Sequence, residues 1–461
     1  MVTKLKPFQK KGVRKIHHFK GRALVADEMG LGKTVQALFY GKEVPECRPI
    51  IVVCPALHKW NWETEARDHI QMRGVVLEGR KPHTRKPLSR VPIIIINYDI
   101  LSYWVEYLRS LNPRLIIVDE IQYIKNRLSK RTKATRMLCR GVKKVIGLGG
   151  TGGMDNRPSE IFPFLNIVRR DKFPSFWQFA MRYCGPKRRP WGWEFKGATN
   201  LEELHQTLQT TCMIRRLKKD VLKDLPPKTR KVIRVDMEKP REYEQIDSDF
   251  KRWARLRLKN NKKLKSAMRS QALVKIGHLK RTAAVQKLKA ITEWIDNFLA
   301  ENPDRKLIVF AVHKKLIIHH LRERYKKIGV SIDGDTSKEK RKEYFHRFNN
   351  EKKCRVLIGQ LQAVGIAWSA KSCNNVLFAE LGWTPAEHEQ AEDRVHGLYR
   401  GVEGKKSFIY YLIAKGTIEE RICALLEEKK AVMSAILDGT GRDMVDFDIH
   451  RRLIQEYAHA T

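Results

Sequence analysis

The chain has 461 residues, too many for a single hydrophobic core, so two or three domains are expected. Its 92 Lys and Arg residues outnumber its 51 Asp and Glu residues, and the formal net charge is +41. Such an excess of positive charge destabilises the folded chain through electrostatic repulsion unless a polyanion neutralises it. This favours nucleic acid as the partner over an anionic membrane. No apolar run is long enough to span a membrane, and the N-terminus has no apolar signal region.

The cysteines are scattered and include no C-x-x-C pair. This spacing predicts buried or free thiols in a reducing compartment, and it disfavours both a zinc site and a disulfide framework. The eight positions are Cys47, Cys54, Cys139, Cys184, Cys212, Cys354, Cys373 and Cys423.

The first 20 or so residues are basic and predict a helix. Within it, Gln9 lies 24 residues before Lys33. A glutamine amide can both donate to and accept from an adenine edge, which suits ATP better than GTP. We therefore expect Gln9 to recognise adenine; the alternative is a surface turn.

A phosphate-binding loop follows. The apolar run 23–26 predicts a buried strand, and a helix begins near Val35, so strand, glycine loop and helix N-terminus together offer N–H groups to an anion. Lys33 would reach the β- and γ-phosphates and Thr34 would hold Mg²⁺. Asp27 replaces the first glycine of the G-x-x-x-x-G-K-S/T pattern. The nucleotide-binding residues are Asp27, Glu28, Met29, Gly30, Leu31, Gly32, Lys33 and Thr34.

A second predicted strand ends in two carboxylates, which complete the predicted Mg²⁺ site. The apolar run 115–118 is followed at once by Asp119 and Glu120. Further buried strands are predicted at 50–54, 93–96 and 145–148, alternating with helices. The alternation predicts a parallel sheet covered on both faces, with ligands beyond the carboxyl ends of its strands.

The chain divides into five predicted segments. Residues 1–154 form an ATP-binding α/β lobe, 155–225 a helical insertion and linker with a tryptophan-rich turn, and 226–285 a basic helical insertion. Residues 286–416 form a second α/β lobe with strands at 306–311, 330–332, 355–358, 376–379 and 408–413, and 417–461 form C-terminal helices. Trp191 and Trp193 suit either packing or nucleic acid. The basic helices suit either DNA backbone or solvent.

The second lobe carries a candidate arginine finger. The helical stretch Gln390-Ala-Glu-Asp-Arg394-Val-His396 follows the strand 376–379. An arginine that neutralises the γ-phosphate in the transition state accelerates hydrolysis on the order of 10³-fold or more. A surface helix of mixed charge is the alternative.

These motifs resemble those of the Swi/Snf-type ATPases of the superfamily-two helicases, specifically the annealing-helicase (HepA-related) branch. The resemblance covers nearly the whole chain and implies an α/β fold of two RecA-like lobes. It also implies ATP and Mg²⁺ as cofactors, and sequence-independent translocation on duplex, branched or forked DNA without processive strand separation. Its carriers are Asp27-Glu-Met-Gly-Leu-Gly-Lys-Thr34, Asp119-Glu120, Arg182-Tyr-Cys184, Pro190-Trp-Gly-Trp193, Met213-Ile-Arg-Arg-Leu-Lys218, Ile332-Asp-Gly-Asp-Thr-Ser337, Phe378-Ala-Glu-Leu-Gly-Trp383, the Gln390 motif and Ala414-Lys-Gly-Thr417.

The resemblance also implies roles for single residues. Gln9 would read adenine, Asp119 would hold Mg²⁺ with Thr34, and Glu120 would position or deprotonate the attacking water. Gln122 stands where the family usually has histidine. The remaining catalytic residues would be Lys33, Gln390, Arg394 and, as a substitute finger, Arg400; the residues in DNA-facing loops would be His58, Lys59, Asn97, Tyr98, Thr151, Thr336 and Gly365.

Three departures from the family pattern leave an alternative open. The family's Leu-Ser/Thr-Gly-Thr-Pro segment is Leu148-Gly-Gly-Thr-Gly152 here, the second finger position is Gly397, and the segment 359–365 is only loosely similar. The alternative to a translocase is a DNA-structure-binding protein with a degraded ATPase; an RNA helicase has less support.

The expected location is the cytoplasm or nucleoid of a bacterial or virus-infected cell, or the nucleus of a eukaryotic one.

Overall fold

A computed structural model describes residues 4–82, 88–150, 152, 154, 157–190, 192–258, 266–364, 368, 370–397, 405–439, 453 and 456–457. The chain forms two compact units. Unit 1 comprises Met1–Lys223 and Lys430–Phe447, and unit 2 comprises Asp224–Lys429 and Asp448–Thr461.

Unit 1 is built on a seven-stranded parallel sheet of order β3-β4-β2-β5-β6-β1-β9. Its elements up to Lys223 are α1 (Pro7–His18), β1 (Arg22–Val25), α2 (Lys33–Glu43), β2 (Ile50–Cys54), α3 (Lys59–Ile70), β3 (Gly74–Val76), β4 (Ile93–Asn97), α4 (Tyr98–Ser110), β5 (Leu115–Asp119), α5 (Lys130–Cys139), β6 (Lys144–Leu148), α6 (Phe162–Val168), α7 (Phe176–Tyr183), β7 (Pro186–Arg189), β8 (Gly192–Phe195), α8 (Leu201–Thr211), β9 (Met213–Ile214) and α9 (Lys218–Val221).

Both faces of this sheet are buried. Ile51 and Val53 of β2 belong to one apolar core, and Ile50 and Val52 belong to another. Because successive side chains of a strand point to opposite faces, the two cores lie on opposite sides of the sheet. This is why the central strands are continuous apolar runs and why their polar residues are confined to the ends.

Unit 2 is built on a six-stranded parallel sheet of order β10-β15-β14-β11-β13-β12. Its elements are β10 (Lys228–Val235), α10 (Pro240–Leu258), α11 (Ser266–Gln286), α12 (Leu288–Glu301), β11 (Leu307–Ala311), α13 (His319–Tyr325), β12 (Gly329–Ile332), α14 (Lys338–Asn350), β13 (Val356–Gln360), α15 (Leu361–Val364), β14 (Asn375–Phe378), α16 (Pro385–Glu392) and β15 (Ser407–Ala414).

The last helix, α17 (Ile418–Asp438), contributes residues to both units. Ile418, Ile422 and Leu425 pack in a core of unit 2. In unit 1 the same helix supplies the buried residues Val432, Ala435, Ile436 and Leu437. Unit 1 is therefore assembled from segments about 200 residues apart in the sequence.

The two parallel sheets confirm the predicted α/β fold class, and each predicted strand lies within two residues of its predicted bounds. Four features were missed: β3, the antiparallel hairpin β7–β8, β9 and β10. The hairpin occupies the segment predicted to be helical, and its Trp193 is 41% exposed and lies edge-on to Trp177; Trp191 lies outside the described residues. The other missed strands are very short or, like β10, too rich in lysine and arginine to resemble a buried strand.

The eight cysteines are free thiols, and all except the half-buried Cys423 are buried. Burial raises the pKa of the Cys139 thiol to about 12, so this thiol stays protonated. Among the described helices, none combines the length and apolar character that crossing a membrane requires.

Candidate nucleotide-binding site

The loop after β1 has the backbone of a phosphate cradle. Gly30 and Gly32 have φ values of 84° and 75°, which L side chains rarely adopt. A Cβ atom on Gly32 would also lie 2.5 Å from Gln9 Nε2. The helix α2 begins immediately afterwards at Lys33, so the free N–H groups of its first turn face the loop.

Gln9 lies against this loop, as the predicted adenine contact requires. It is 7% exposed, its Nε2 donates to Leu31 O at 3.2 Å, and its Oε1 accepts from Lys6 N at 2.9 Å. Both ends of the amide thus have protein partners, and an adenine edge would have to share or replace them. Its role in adenine recognition stays a prediction.

Lys33 is held beside the loop. Its Nζ donates to the backbone O of Asp27 at 3.0 Å. Burial lowers the pKa of Lys33, although the carboxylates of Glu120, Asp27 and Asp119 oppose this shift. A phosphate group arriving here would meet an ammonium group that is already held in place beside the loop.

Asp27 has a structural role that accounts for its place at the first glycine position. Its side chain is fully buried and accepts from Arg216 Nε at 2.9 Å, from Arg216 Nη2, and from Gln36 Nε2 at 3.0 Å. Arg216 also donates to Gln36 Oε1 at 2.6 Å and to the backbone O of Phe8. This network joins α1, the phosphate loop, α2 and the segment after β9.

Glu28 fixes the same loop from its other side. Its backbone N donates to Arg216 O at 3.0 Å, and its carboxylate accepts from the backbone N of Lys218 at 2.7 Å. The ammonium of Lys218 lies 3.7 Å from Glu28 Oε1. Asp27 and Glu28 are therefore anchors of the loop, and their carboxylates are engaged by the protein.

Asp119 and Glu120 stand at the carboxyl end of β5, as predicted. Asp119 Oδ2 lies 2.9 Å from His58 Nδ1 and accepts from Trp62 Nε1 at 2.9 Å. Ligand atoms of His58, Asp119 and Glu120 lie within 4.8 Å of one another. Carboxylate oxygens suit Mg²⁺ better than an imidazole nitrogen does. The group therefore fits a magnesium site with His58 and Trp62 orienting Asp119.

Glu120 has an unusual backbone conformation. Its φ is 50°, which is rare for a residue other than glycine and occurs preferentially at functional sites. Gln122 Nε2 donates to Glu120 Oε2 at 2.7 Å. The glutamine that replaces the family's histidine thus contacts the candidate base directly.

Several residues predicted to face DNA have other partners in unit 1. Lys59 is 8% exposed and its Nζ donates to Leu77 O at 2.8 Å. Tyr98 is buried, and its hydroxyl donates to Asp119 O at 2.5 Å. Asn97 is buried and donates to Asp99 Oδ2 at 3.2 Å. Lys59, Asn97 and Tyr98 are buried with internal hydrogen-bond partners, as burial demands. Their contacts with DNA stay predictions.

Arg215 links the phosphate strand to the loop after β6, a role that sequence reasoning missed. Its Nη1 donates to Ala26 O at 2.8 Å and to Gly150 O at 2.9 Å, and its Nε donates to Asp438 Oδ1 at 2.7 Å. A Cβ on Gly150 would lie 2.6 Å from Met29 and 3.3 Å from Lys33 Nζ. The loop after β6 therefore packs directly on the phosphate cradle.

The glycine that replaces the family's proline in this loop also has a physical reason. Gly152 has a φ of 61°, which a proline ring cannot adopt, and a Cβ there would lie 2.4 Å from Leu437 of α17. The side chain of Leu437 fills the space that a larger residue would need. The neighbouring Thr151 lies outside the described residues.

In unit 2, Arg394 is 3% exposed. Its Nη1 donates to Trp368 O at 2.7 Å and its Nε donates to Gln390 O at 3.1 Å. Its use as a finger therefore requires a change of partner and stays a prediction. Gly397 has a φ of 148°, a conformation that an arginine rarely adopts, and Arg400 lies outside the described residues.

The helix that carries Gln390 is tied to β10. Glu392 accepts from Arg230 Nε at 2.7 Å and from Lys228 Nζ at 2.9 Å, and Lys228 also donates to Asp393 at 2.9 Å. Burial alone would raise the pKa of Glu392, but the positive charges of Lys228 and Arg230 hold this pKa at about 2. The strand missed by sequence reasoning thus positions the predicted finger segment.

Thr336 lies in a cationic cavity of about 520 Å³ along β12, the edge strand of unit 2. Lys340 and Arg347 line it with Thr336; so do Asp333 and Asp335, both of which pair with Lys314. The basic side chains around Thr336 are compatible with its predicted contact with DNA. Gly365, the other predicted contact in this unit, lies outside the described residues.

A phosphate loop and a pair of carboxylates stand at the carboxyl ends of strands in one of two parallel-sheet units, an arrangement typical of nucleotide-binding proteins. A model of the SNF2-related domain matches residues 8–288, and a model of the helicase conserved C-terminal domain matches residues 286–397. The chain belongs to the SNF2-related family of helicase-like ATPases, which confirms the resemblance found in the sequence.

The chain is similar to "SWI/SNF-related matrix-associated actin-dependent regulator of chromatin subfamily A-like protein 1" of Xenopus tropicalis, at 34% identity over 94% of this chain and 45% of the relative. It is also similar to "DNA annealing helicase and endonuclease ZRANB3" of Mus musculus, at 32% identity over 95% of this chain and 41% of the relative. The chain thus spans less than half the length of these curated relatives. A Sulfolobus solfataricus SWI2/SNF2 ATPase core in complex with dsDNA aligns with a TM-score of 0.45 and 22% identity, covering 95% of this chain and 94% of that one.

Proposed function

We propose that the chain hydrolyses ATP to move along duplex DNA and to remodel or reanneal branched DNA. The observation that carries the proposal is that Lys33, bonded to the loop after β1, and the carboxylates of Asp119 and Glu120, at the end of β5, stand at the carboxyl ends of strands of one parallel sheet. The family membership supports ATP as the nucleotide.

In this mechanism Lys33 and the N–H groups of the loop bind the β- and γ-phosphates. Thr34 and Asp119 would hold Mg²⁺, which neutralises phosphate charge when bound. His58 and Trp62 keep Asp119 oriented through their hydrogen bonds to its Oδ2. Glu120, oriented by Gln122, accepts a proton from the attacking water.

Coupling to DNA is proposed to pass through Arg215. This guanidinium contacts both the end of the phosphate strand and Gly150. A change at the phosphate loop would therefore reach the loop after β6 without any intermediate residue. The cationic cavity at Thr336 and the net charge of +41 support backbone contacts that do not depend on base sequence. The two relatives are animal proteins, which favours a nuclear location.

The test is ATP turnover measured without DNA and with linear duplex, forked and single-stranded DNA of one sequence. We expect turnover to rise with duplex and forked DNA. Lys33→Ala should abolish turnover while DNA affinity stays within a few-fold, because the lysine side chain faces the phosphate site.

Absence of turnover with every DNA, together with tight binding to forks, would favour the second candidate, a DNA-structure-binding protein with a degraded ATPase. The internal partners of Arg394 and the glycine at position 397 are the observations on that side.

A further inference from the structure

A second basic cavity lies in unit 1, away from the nucleotide. Its volume is about 740 Å³, and six cationic side chains line it with no carboxylate among the lining residues. The six are Arg22, Arg109, Lys133, Arg136, Arg140 and Arg170.

The cavity and the phosphate loop are at opposite ends of the sheet. Arg22 is the first residue of β1, whereas the loop follows the last residue of that strand. Val142, another lining residue, lies two residues before the start of β6. The five residues of β6 rise about 3.3 Å each, so roughly 16 Å separate the two ends of this strand. A group bound here would not contact the nucleotide.

Local structure does not account for the charge of the cavity. The helices α4, α5 and α6 end at Ser110, Cys139 and Val168 close to the lining residues, and each helix C-terminus carries about half a negative charge. Three ends therefore offset roughly 1.5 of six positive charges. In the described part of the chain, only Arg109 among the six forms an ion pair, with the exposed Glu106 at 3.8 Å.

Arg22 at the cavity wall is bound without any acid. It donates to the backbone oxygens of Val168 at 2.8 Å, Val142 at 3.0 Å and Lys143 at 3.1 Å, and to that of Ile167. Burial lowers the pKa of Arg22. Carbonyl partners fix the guanidinium in place. The carboxylate of Asp171 interacts with it electrostatically but is itself paired with Arg169 at 2.5 Å, so Arg22 adds positive potential to the cavity.

The exposed cations are arranged in a row. Lys133 and Arg136 are one turn apart on α5, and Arg140 directly follows that helix. Seven residues at about 1.5 Å each span roughly 10 Å. Each strand of a duplex carries one phosphate per ~3.4 Å of helix axis, so a row of this length reaches more than one phosphate of a strand. A single small anion would use only part of this row.

We propose that this cavity binds the phosphodiester backbone of a second arm of branched DNA, separate from the duplex on which the ATPase moves. The proposal rests on the proposed function, since it specifies the DNA on which that function acts. Phosphate oxygens are the shared chemistry of two sources, a DNA arm and a free polyphosphate. The length of the row favours DNA.

The test uses the full chain and the double variant Arg136→Gln/Arg140→Gln, in which glutamine removes charge from two exposed side chains. The matched control is Lys352→Gln/Lys353→Gln, which removes two exposed charges from the turn before β13 in unit 2. Affinities for a linear duplex and for a three-armed fork of the same sequence are measured between 50 and 200 mM salt, without nucleotide. Because no hydrolysis is involved, the result is independent of whether the chain is an active translocase.

We expect the variant to bind the fork on the order of 10-fold more weakly at 200 mM salt, with a salt slope reduced by about 2, and to bind the linear duplex within about twofold of the wild type. The control should retain the fork preference. Equal losses on both DNAs would place the cavity on the tracking surface and overturn the proposal, as would a variant indistinguishable from the control. Micromolar binding of tripolyphosphate that the variant loses, with fork affinity unchanged, would show a free-anion site and also overturn it.

Discussion

Replacing Arg216 with methionine should destabilise unit 1 strongly. The carboxylate of Asp27 is fully buried, and Arg216 supplies two of its three hydrogen bonds; Gln36 supplies the third. Removing one partner of a buried ion pair typically costs about 3–5 kcal/mol, because the remaining charge is left without compensation. That range corresponds to a factor of roughly 10² to 10³ or more in the folding equilibrium.

The reasoning also predicts what restores stability. In Arg216→Met/Asp27→Asn the buried charge is gone, so most of the loss should be recovered. The surface control is Arg67→Met, which removes an exposed pair with Glu63 at 3.5 Å and should cost well under 1 kcal/mol. Urea unfolding of all three variants measures these differences. An Arg216→Met variant within about 0.5 kcal/mol of the wild type would refute the anchoring role of Asp27.

Four further predictions concern the candidate site and the helix that carries Gln390. Glu120→Gln should lower ATP turnover by roughly 10² or more while ATP affinity stays within a few-fold, since the amide keeps the shape but is not a base. Because the pKa of Glu392 is about 2 in the folded chain against an ordinary 4.5, its stabilisation is present above about pH 4.5 and is lost as the pH falls towards 2. Over that window, wild-type stability should fall about 3 kcal/mol more than that of Glu392→Gln. Arg394→Ala should reduce turnover on the order of 10²-fold, whereas Gly397→Arg should destabilise unit 2 instead of restoring a second finger, because its φ is 148°.

Each of these has a contrary outcome. A Glu120→Gln enzyme with near wild-type turnover would remove this residue from the mechanism. Parallel acid titrations of the wild type and Glu392→Gln would contradict the role of Lys228 and Arg230 as its stabilising partners. If Arg394→Ala hydrolyses ATP normally, its bonds to Trp368 and Gln390 are purely structural. Higher turnover in a stably folded Gly397→Arg protein would show that the backbone there relaxes.

The positions of Asp119 and Glu120 were predictable because a buried parallel strand is an apolar run that ends where polar residues begin. The phosphate loop was predictable for the same reason. The partners of these residues were not, because Asp27 and Arg216 are 189 positions apart and no local pattern connects them. A buried lysine such as Lys59 has the same sequence signature as an exposed one, so its predicted DNA contact could not be distinguished from an internal hydrogen bond.

The strand β10 shows why charge patterns in the sequence can fail to reveal a strand. It lies in the segment 226–285, which was predicted to be a basic helical insertion, yet it pairs with β15 along eight residues. Two of those basic residues, Lys228 and Arg230, find acidic partners in the Gln390 helix. Charge patterns identify strands poorly when the compensating carboxylates come from elsewhere in the sequence.

The contribution of α17 to unit 1 has a consequence for biosynthesis. Val432, Ala435, Ile436 and Leu437 complete a core whose other residues precede Lys223. At about 5–20 residues per second, a ribosome needs roughly 10 to 40 s to make the intervening 200 or so residues. During that interval the nascent unit exposes an apolar surface, which makes it prone to aggregation unless chaperones cover it. A fragment that ends at Lys223 would keep this surface exposed permanently, so recombinant production of unit 1 alone should include residues 430–438 through a linker or as a co-expressed peptide.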